Sequence, residues 1–302
     1  MNRVLYHMIS LVFTVLGLVP RHAARRLSRG LAGIWFICDG RHRRVTINNL
    51  TYVFGYEKSP IEIRRMARRV FANIVMILFE VGWLYRCQPG EMAANIRFEG
   101  LDHLRRAYKK GRGVLVLTGH LGNWELLANA AGFLGYPINV VYRPLEFEPL
   151  DYFFGQLRSR QGAHLLPKAQ AMRGILRKIN GKELVGILLD QNTSRQAGVF
   201  VDFFGKPACT NKGLALVAKR RKVPVVPIFM VREGDKYRMI IRPEVPLIVS
   251  GDNVRDAEAN TRQYNRVLES MIRRYPEQWF WVHRRWKTRP LQPAAPQSVT
   301  RR

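Results

Sequence analysis

Glu125 follows His120 by five positions in the stretch LTGHLGNWELL, residues 117 to 127. An imidazole accepts a proton from a hydroxyl near neutral pH, and a carboxylate on its other nitrogen fixes the tautomer and stabilises the imidazolium. The pair has the parts of a general base. The same residue types also form purely structural pairs, so the chemistry depends on where the chain places them.

The flanking residues suggest that placement. GVLVLTG (113 to 119) is a short β-rich run, and NWELLANAAGFLG opens a helical pattern for which Asn123 is a suitable N-cap. His120 thus leaves the carboxyl end of a strand, where open α/β sheets bind ligands, and Glu125 falls in the first turn of the next helix. Further strands are expected at INVVY (138 to 142), LVGILLD (184 to 190) and VPVVPIFM (223 to 230), and YRMIIRP (237 to 243) is expected as an antiparallel edge strand. Continuous apolar strands alternating with helices predict an α/β fold, a mostly parallel sheet flanked by helices. Residues 59 to 85 begin with Ser-Pro and put Ile63, Met66, Val70, Ile74, Ile77, Val81 and Leu84 on one helical face. Arg64, Arg65, Arg68 and Arg69 crowd the first turns of that helix, as a solvated face or against lipid headgroups.

Composition bears on the partner. Among 302 residues, 50 Lys+Arg stand against 22 Asp+Glu, and the net charge of +28 is spread along the chain, which predicts an anionic partner. Nucleic acid, an anionic membrane face and an acidic protein all meet that description. Cys38, Cys87 and Cys209 form no CxxC pair, so neither a disulfide framework nor a cysteine zinc site is indicated. Val4 to Val19 is sixteen residues without a charge, short of the ~20 of a comfortable bilayer span. His7, Ser10, Thr14 and Gly17 give this segment one mildly polar face, which suits interfacial insertion or packing on the rest of the protein. Arg21, Arg25, Arg26 and Arg29 follow and would keep the downstream chain cytoplasmic. The expected organisation is a membrane-anchor helix at 1–20, one α/β domain at 21–290 and a disordered tail at 291–302.

GHLGNWE (119 to 125) resembles the His-x4-Asp/Glu signature of the glycerolipid acyltransferases, in the form used by the bacterial lipid A biosynthesis (lauroyl/myristoyl) acyltransferase family and related lysophospholipid acyltransferases. VYRPLEFEPLD (141 to 151), the long block at 186 to 232 and YPEQWFWVHRRWKTRP (275 to 290) match in order, so the resemblance covers nearly the whole chain. It implies a glycerolipid acyltransferase-like sheet carrying the His-Glu pair, a hydrophobic channel for an acyl chain and an N-terminal membrane helix. Glu125 stands where many glycerolipid enzymes have Asp; the chemistry survives and the reach changes.

The resemblance implies an O-acyltransferase that moves a fatty acyl chain from a thioester to a hydroxyl of a lipid A precursor, at the cytoplasmic face of the bacterial inner membrane, with no metal and no cofactor. A lysophospholipid is the second acceptor class. His120 is expected to deprotonate the acceptor and Glu125 to orient His120. Arg143 resembles the family's substrate-binding arginine, a phosphate clamp, against the alternative of an ion pair with Glu146 or Glu148. Asp190, Gln191 and Arg195 fall in a block that serves the acceptor site in relatives, with Arg195 a phosphate contact. The chain has neither a Gly-x-Ser-x-Gly elbow nor an HExxH pair, so a hydrolase is disfavoured. Widely spread basic charge and the lack of a Gly-rich phosphate cradle favour acyl carrier protein over coenzyme A as donor, with anionic membrane lipids as a further partner. A basic membrane- or nucleic-acid-binding protein is the non-enzyme alternative. Nucleic acid is not expected, because it leaves the apolar N-terminus and the His-Glu block unexplained. Phe200, Phe203 and Phe204 are read as channel wall or core. Trp279, Trp281 and Trp286, among His283, Arg284, Arg285 and Lys287, are read as a membrane-surface belt or as packing.

Overall fold

The computed structural model describes residues 2–290, so the tail expected to be disordered at 291–302 lies outside the described residues. Four helices come first: α1 (Arg3–Leu18), α2 (Arg21–Cys38), α3 (Gly40–Phe54) and α4 (Pro60–Arg86). At the start of α4 the Ser59 hydroxyl accepts from the Glu62 N–H, the Glu62 carboxylate accepts from the Ser59 N–H, and Pro60 takes the first helical position. The predicted apolar face of α4 is buried, with Ile74 half-buried. α1 crosses α4 at glycine: a Cβ on Gly17 would lie 2.2 Å from the Gly82 carbonyl oxygen. No single helix among the described residues is long and apolar enough to cross a membrane; α1 and α2, bent by 116° at their junction, reach that length and composition only together.

The remainder runs α5 (Pro89–Ala94), β1 (Ile96–Glu99), α6 (Leu101–Tyr108), β2 (Val114–Thr118), α7 (Trp124–Ala130), β3 (Ile138–Tyr142), α8 (Glu148–Ser159), β4 (His164–Pro167), α9 (Ala171–Asn180) and β5 (Leu184–Leu188). It continues through β6 (Gly198–Phe203), β7 (Lys206–Asn211), α10 (Gly213–Arg221), β8 (Val225–Glu233), β9 (Lys236–Ile241) and α11 (Asn253–Arg274). Seven strands form one sheet in the order β1-β9-β8-β2-β5-β3-β4, and every neighbouring pair is parallel except β8 with β9. β2 lies in the middle, and all five of its residues are buried. That is why VLVLT reads as an unbroken apolar run.

β9 is the antiparallel strand expected from YRMIIRP, but it is not the edge. β1 pairs with it in parallel on its outer side. β1 is only IRFE, two of its four residues charged, so no β-rich run announces it. β4, ending in Pro167, closes the other edge, a position that tolerates a missing N–H. β6 and β7 form a separate antiparallel hairpin. Phe203 at its turn joins Trp279 and Trp286 in a cluster of rings, and Trp279 and Trp281 are 2% and 0% exposed. These two tryptophans are core packing and not a belt at a membrane surface.

Candidate active site

Register brings the first two groups together. Thr118 of β2 lies opposite Leu188 of β5, so the residue two positions beyond each strand end meets its counterpart: His120 meets Asp190. The His120 Nδ1–H donates to Asp190 Oδ1 at 2.9 Å, and the His120 backbone N–H donates to Oδ2 at 2.9 Å. The Trp279 indole N–H donates to the same Oδ2 at 2.7 Å. Burial alone would raise the Asp190 carboxyl, but the imidazole and these N–H donors outweigh it and hold the group at about 2. An ionised carboxylate only accepts, so the proton sits on Nδ1 and Nε2 carries the lone pair. The Gln191 amide nitrogen lies 3.4 Å from that Nε2. The rings of Trp124 and Phe280 flank the imidazole at 5.1 and 6.0 Å.

The loop carrying His120 is clamped on both sides. Gly122 has φ +66°, and a Cβ there would lie 1.9 Å from the Met230 carbonyl oxygen, so no other residue fits. The Gly122 N–H donates to the Gln278 carbonyl, the Asn123 N–H to the Met230 carbonyl and the Phe280 N–H to the His120 carbonyl. Asn123 caps α7 as expected, its Oδ1 accepting from the Leu126 N–H at 2.8 Å. Its amide nitrogen donates to Glu80 Oε2 at 2.9 Å. Glu80 in turn grips Arg232 through both oxygens, and Arg232 also donates to Asn73. A buried ion pair between α4 and β8 thereby holds the N-cap beside the imidazole.

Glu125 does not orient His120. Both of its oxygens are taken by Arg158 of α8, at 2.7 Å from Nε and 2.7 Å from Nη2. The reach assumed from five-residue spacing is overruled by a planar guanidinium that matches a carboxylate bidentately. Burial would lower the Arg158 pKa, but the Glu125 charge more than compensates and raises it. Arg158 Nη1 has no hydrogen-bond partner among the described residues. The guanidinium lies 5.8 Å from the Tyr142 ring at the carboxyl end of β3, the sheet edge that also carries His120.

The remaining predicted residues spread outward. Arg143 is 80% exposed with Glu146 3.9 Å away, a loose ion pair of the kind named as its alternative. Arg195 donates from Nε and Nη2 to the Arg289 carbonyl, at 3.1 and 2.9 Å, and thus ties its loop to the C-terminal segment. His283 Nε2 accepts from the Asn192 N–H at 2.9 Å, and burial lowers its pKa to about 4, so it is neutral. Arg285 is fully buried, donating to the Cys209 carbonyl and the Thr210 hydroxyl, and burial lowers its pKa to about 10. Cys209 is buried, and burial pushes its thiol upward, away from a reactive thiolate.

A small apolar pocket lies between α7 and the sheet. Its walls include Val116, Leu127, Ala131, Ile138 and Ile228, and Trp124, which also contacts His120, belongs to both the cavity and the crevice. Thr118, two residues before His120, contributes a buried hydroxyl without a hydrogen-bond partner among the described residues.

A family model described as bacterial lipid A biosynthesis acyltransferase matches residues 2–288. The chain is 29% identical over 254 residues to the lipid A biosynthesis palmitoleoyltransferase of Escherichia coli (strain K12), covering 83% of this chain and 80% of the relative. It is 29% identical over 277 residues to the lipid A biosynthesis lauroyltransferase of the same organism, covering 90% and 88%. A lipid A biosynthesis acyltransferase of Haemophilus influenzae is 27% identical over 282 residues, covering 91% and 85%.

Proposed function

The chain belongs to the bacterial lipid A biosynthesis acyltransferase family and is an acyltransferase, and from that premise we propose that it transfers a fatty acyl chain from acyl carrier protein to a hydroxyl of a lipid A precursor, with His120 as general base. The observation that carries this reading is the His120–Asp190 pair, with Trp124 shared between the imidazole and the apolar pocket.

The acceptor O–H passes its proton to His120 Nε2 as its oxygen bonds to the thioester carbonyl carbon. The carbonyl π electrons move to oxygen, forming an oxyanion. When the C=O re-forms, the C–S bond breaks and the thiolate leaves, taking the proton back from the imidazolium. Asp190 holds the imidazole in the tautomer this requires and stabilises its charged form. The cavity beneath Trp124 takes the acyl chain. Glu125 acts through Arg158, fixing a cation at the rim where charge develops. Arg143, exposed at the end of β3, and Arg195 with Gln191, beyond β5, are the groups offered to acceptor phosphates.

The net charge of +28 suits an acidic carrier protein and an anionic leaflet, and supports work at the cytoplasmic face of the inner membrane. The test is transfer of a radiolabelled acyl chain from acyl carrier protein to a purified lipid A precursor. The full chain should turn over, and His120→Ala should retain less than about one hundredth of the rate. Wild-type turnover by a folded His120→Ala protein would overturn the base assignment.

A further inference from the structure

α1 and α2 each turn an apolar stripe away from the protein. On α1, Val4, Met8, Leu11 and Val15 recur every three to four residues and are 53–67% exposed. On α2, Leu27, Leu31 and Ile34 do the same at 48–61% exposure, and exposed Cys38 continues the same face. The opposite faces are occupied: Phe13 and Gly17 of α1 lie on α4 or α8, and Phe36 of α2 packs on Phe71 of α4. Both helices thus rest on one support with their apolar stripes outward. Exposed apolar stripes of this kind mark interaction surfaces.

The charges beside it identify the occupant. Arg26 and Arg29 on α2, and Arg64 and Arg68 on the first turns of α4, are exposed and ion-paired to nothing among the described residues. A second copy of a chain at +28 would bring like charges together, whereas an anionic leaflet supplies both the apolar layer and the counter-charge. We propose that α1 and α2 together form one docking surface for an anionic lipid leaflet, lying in the interface, with the α2 stripe seated beside that of α1. The anchor is then a bent pair of helices and not residues 1–20 alone. This rests on the membrane association proposed above and is independent of the acyl-transfer chemistry.

Cys38 allows a direct test, because Cys87 and Cys209 are buried. The full chain is labelled at Cys38 with the environment-sensitive fluorophore NBD and mixed with vesicles of phosphatidylcholine containing phosphatidylglycerol, or of phosphatidylcholine alone. The proposal expects a blue shift and a several-fold rise in emission on anionic vesicles and little change on neutral ones. Leu31→Glu/Ile34→Glu, both at exposed positions, should fold normally by circular dichroism, lose the blue shift and require at least tenfold more lipid for half-maximal flotation. A probe that keeps its aqueous emission while the protein floats with anionic vesicles overturns the role of α2 and leaves membrane association standing. A blue shift without vesicles, accompanied by a dimer mass in light scattering, assigns the stripe to a second copy and also overturns it. Failure to float with either vesicle overturns the membrane reading itself.

Discussion

Asp190 meets His120 twice, through the imidazole and through the backbone N–H of the same residue, because β2 and β5 are neighbours in register. One carboxylate therefore fixes both the ring and the main chain that carries it. Asp190→Asn keeps the volume but removes the charge and one acceptor. The kcat/KM for transfer should fall by about 10²–10⁴, with folding retained. Steady-state rates on protein with a wild-type melting profile check this; a loss under tenfold would mean that another group orients the imidazole.

Glu125 and Arg158 form a buried pair, and deleting one member strands the other charge. Glu125→Gln or Arg158→Met should each cost about 3–5 kcal/mol of stability, and the double variant clearly less than the sum. Urea unfolding of the two singles and the double measures the coupling. Additive losses would show that the bidentate contact contributes nothing as a pair.

His283 gives a pH signature. Burial lowers its pKa from 6.5 to about 4 in the folded protein, so the unfolded chain takes up this proton first as pH falls. The contribution of neutral His283 is fully present above about pH 6.5 and is lost as pH falls toward 4. His283→Gln can still accept from the Asn192 N–H but does not titrate. The difference in Tm between wild type and His283→Gln should shrink steadily from pH 7 to pH 4. A gap independent of pH would contradict the burial argument.

The buried Thr118 hydroxyl has no hydrogen-bond partner among the described residues. Thr118→Val keeps the shape and removes the unsatisfied group, so the ligand-free protein should gain about 1 kcal/mol. Destabilisation in thermal or urea unfolding would reveal a hydrogen bond that this geometry lacks.

Ala131 lines the cavity and is 3% exposed. Ala131→Leu fills part of it, and the preferred acyl donor should become shorter by several carbons at some cost in stability, about 1–3 kcal/mol. Competition between donors of graded length reads the shift; an unchanged preference would place the acyl chain elsewhere.

Local signals were legible from the chain. The apolar run of β2, the cap at Asn123 and the Ser59–Pro60 start of α4 each depend on neighbours within four residues, and the structure reproduces them. The crevice position of His120 followed from the strand end. What pairs with what did not follow. Asp190 is 70 positions from His120, Arg158 is 33 from Glu125 and Arg232 is 152 from Glu80, so each contact depends on strand order and register. Asp190 was legible only as a residue at the sheet edge, and its place on the imidazole required knowing that β5 lies beside β2. Arg158 and Glu80 gave no local signal, since a charged residue in a helical pattern usually faces water.

α4 carries α1 and α2 and, through Glu80, holds Asn123 beside His120. Its 27 residues form a rod of roughly 40 Å. No flexible tether intervenes between the two duties. On the proposed docking of the paired helices to lipid, the elevation of the imidazole above the headgroups would be set by the stiffness of a single helix. An acceptor hydroxyl would then have to protrude to that elevation, and lipids whose reactive group sits too deep or too shallow would be sorted by altitude before any pocket has touched them.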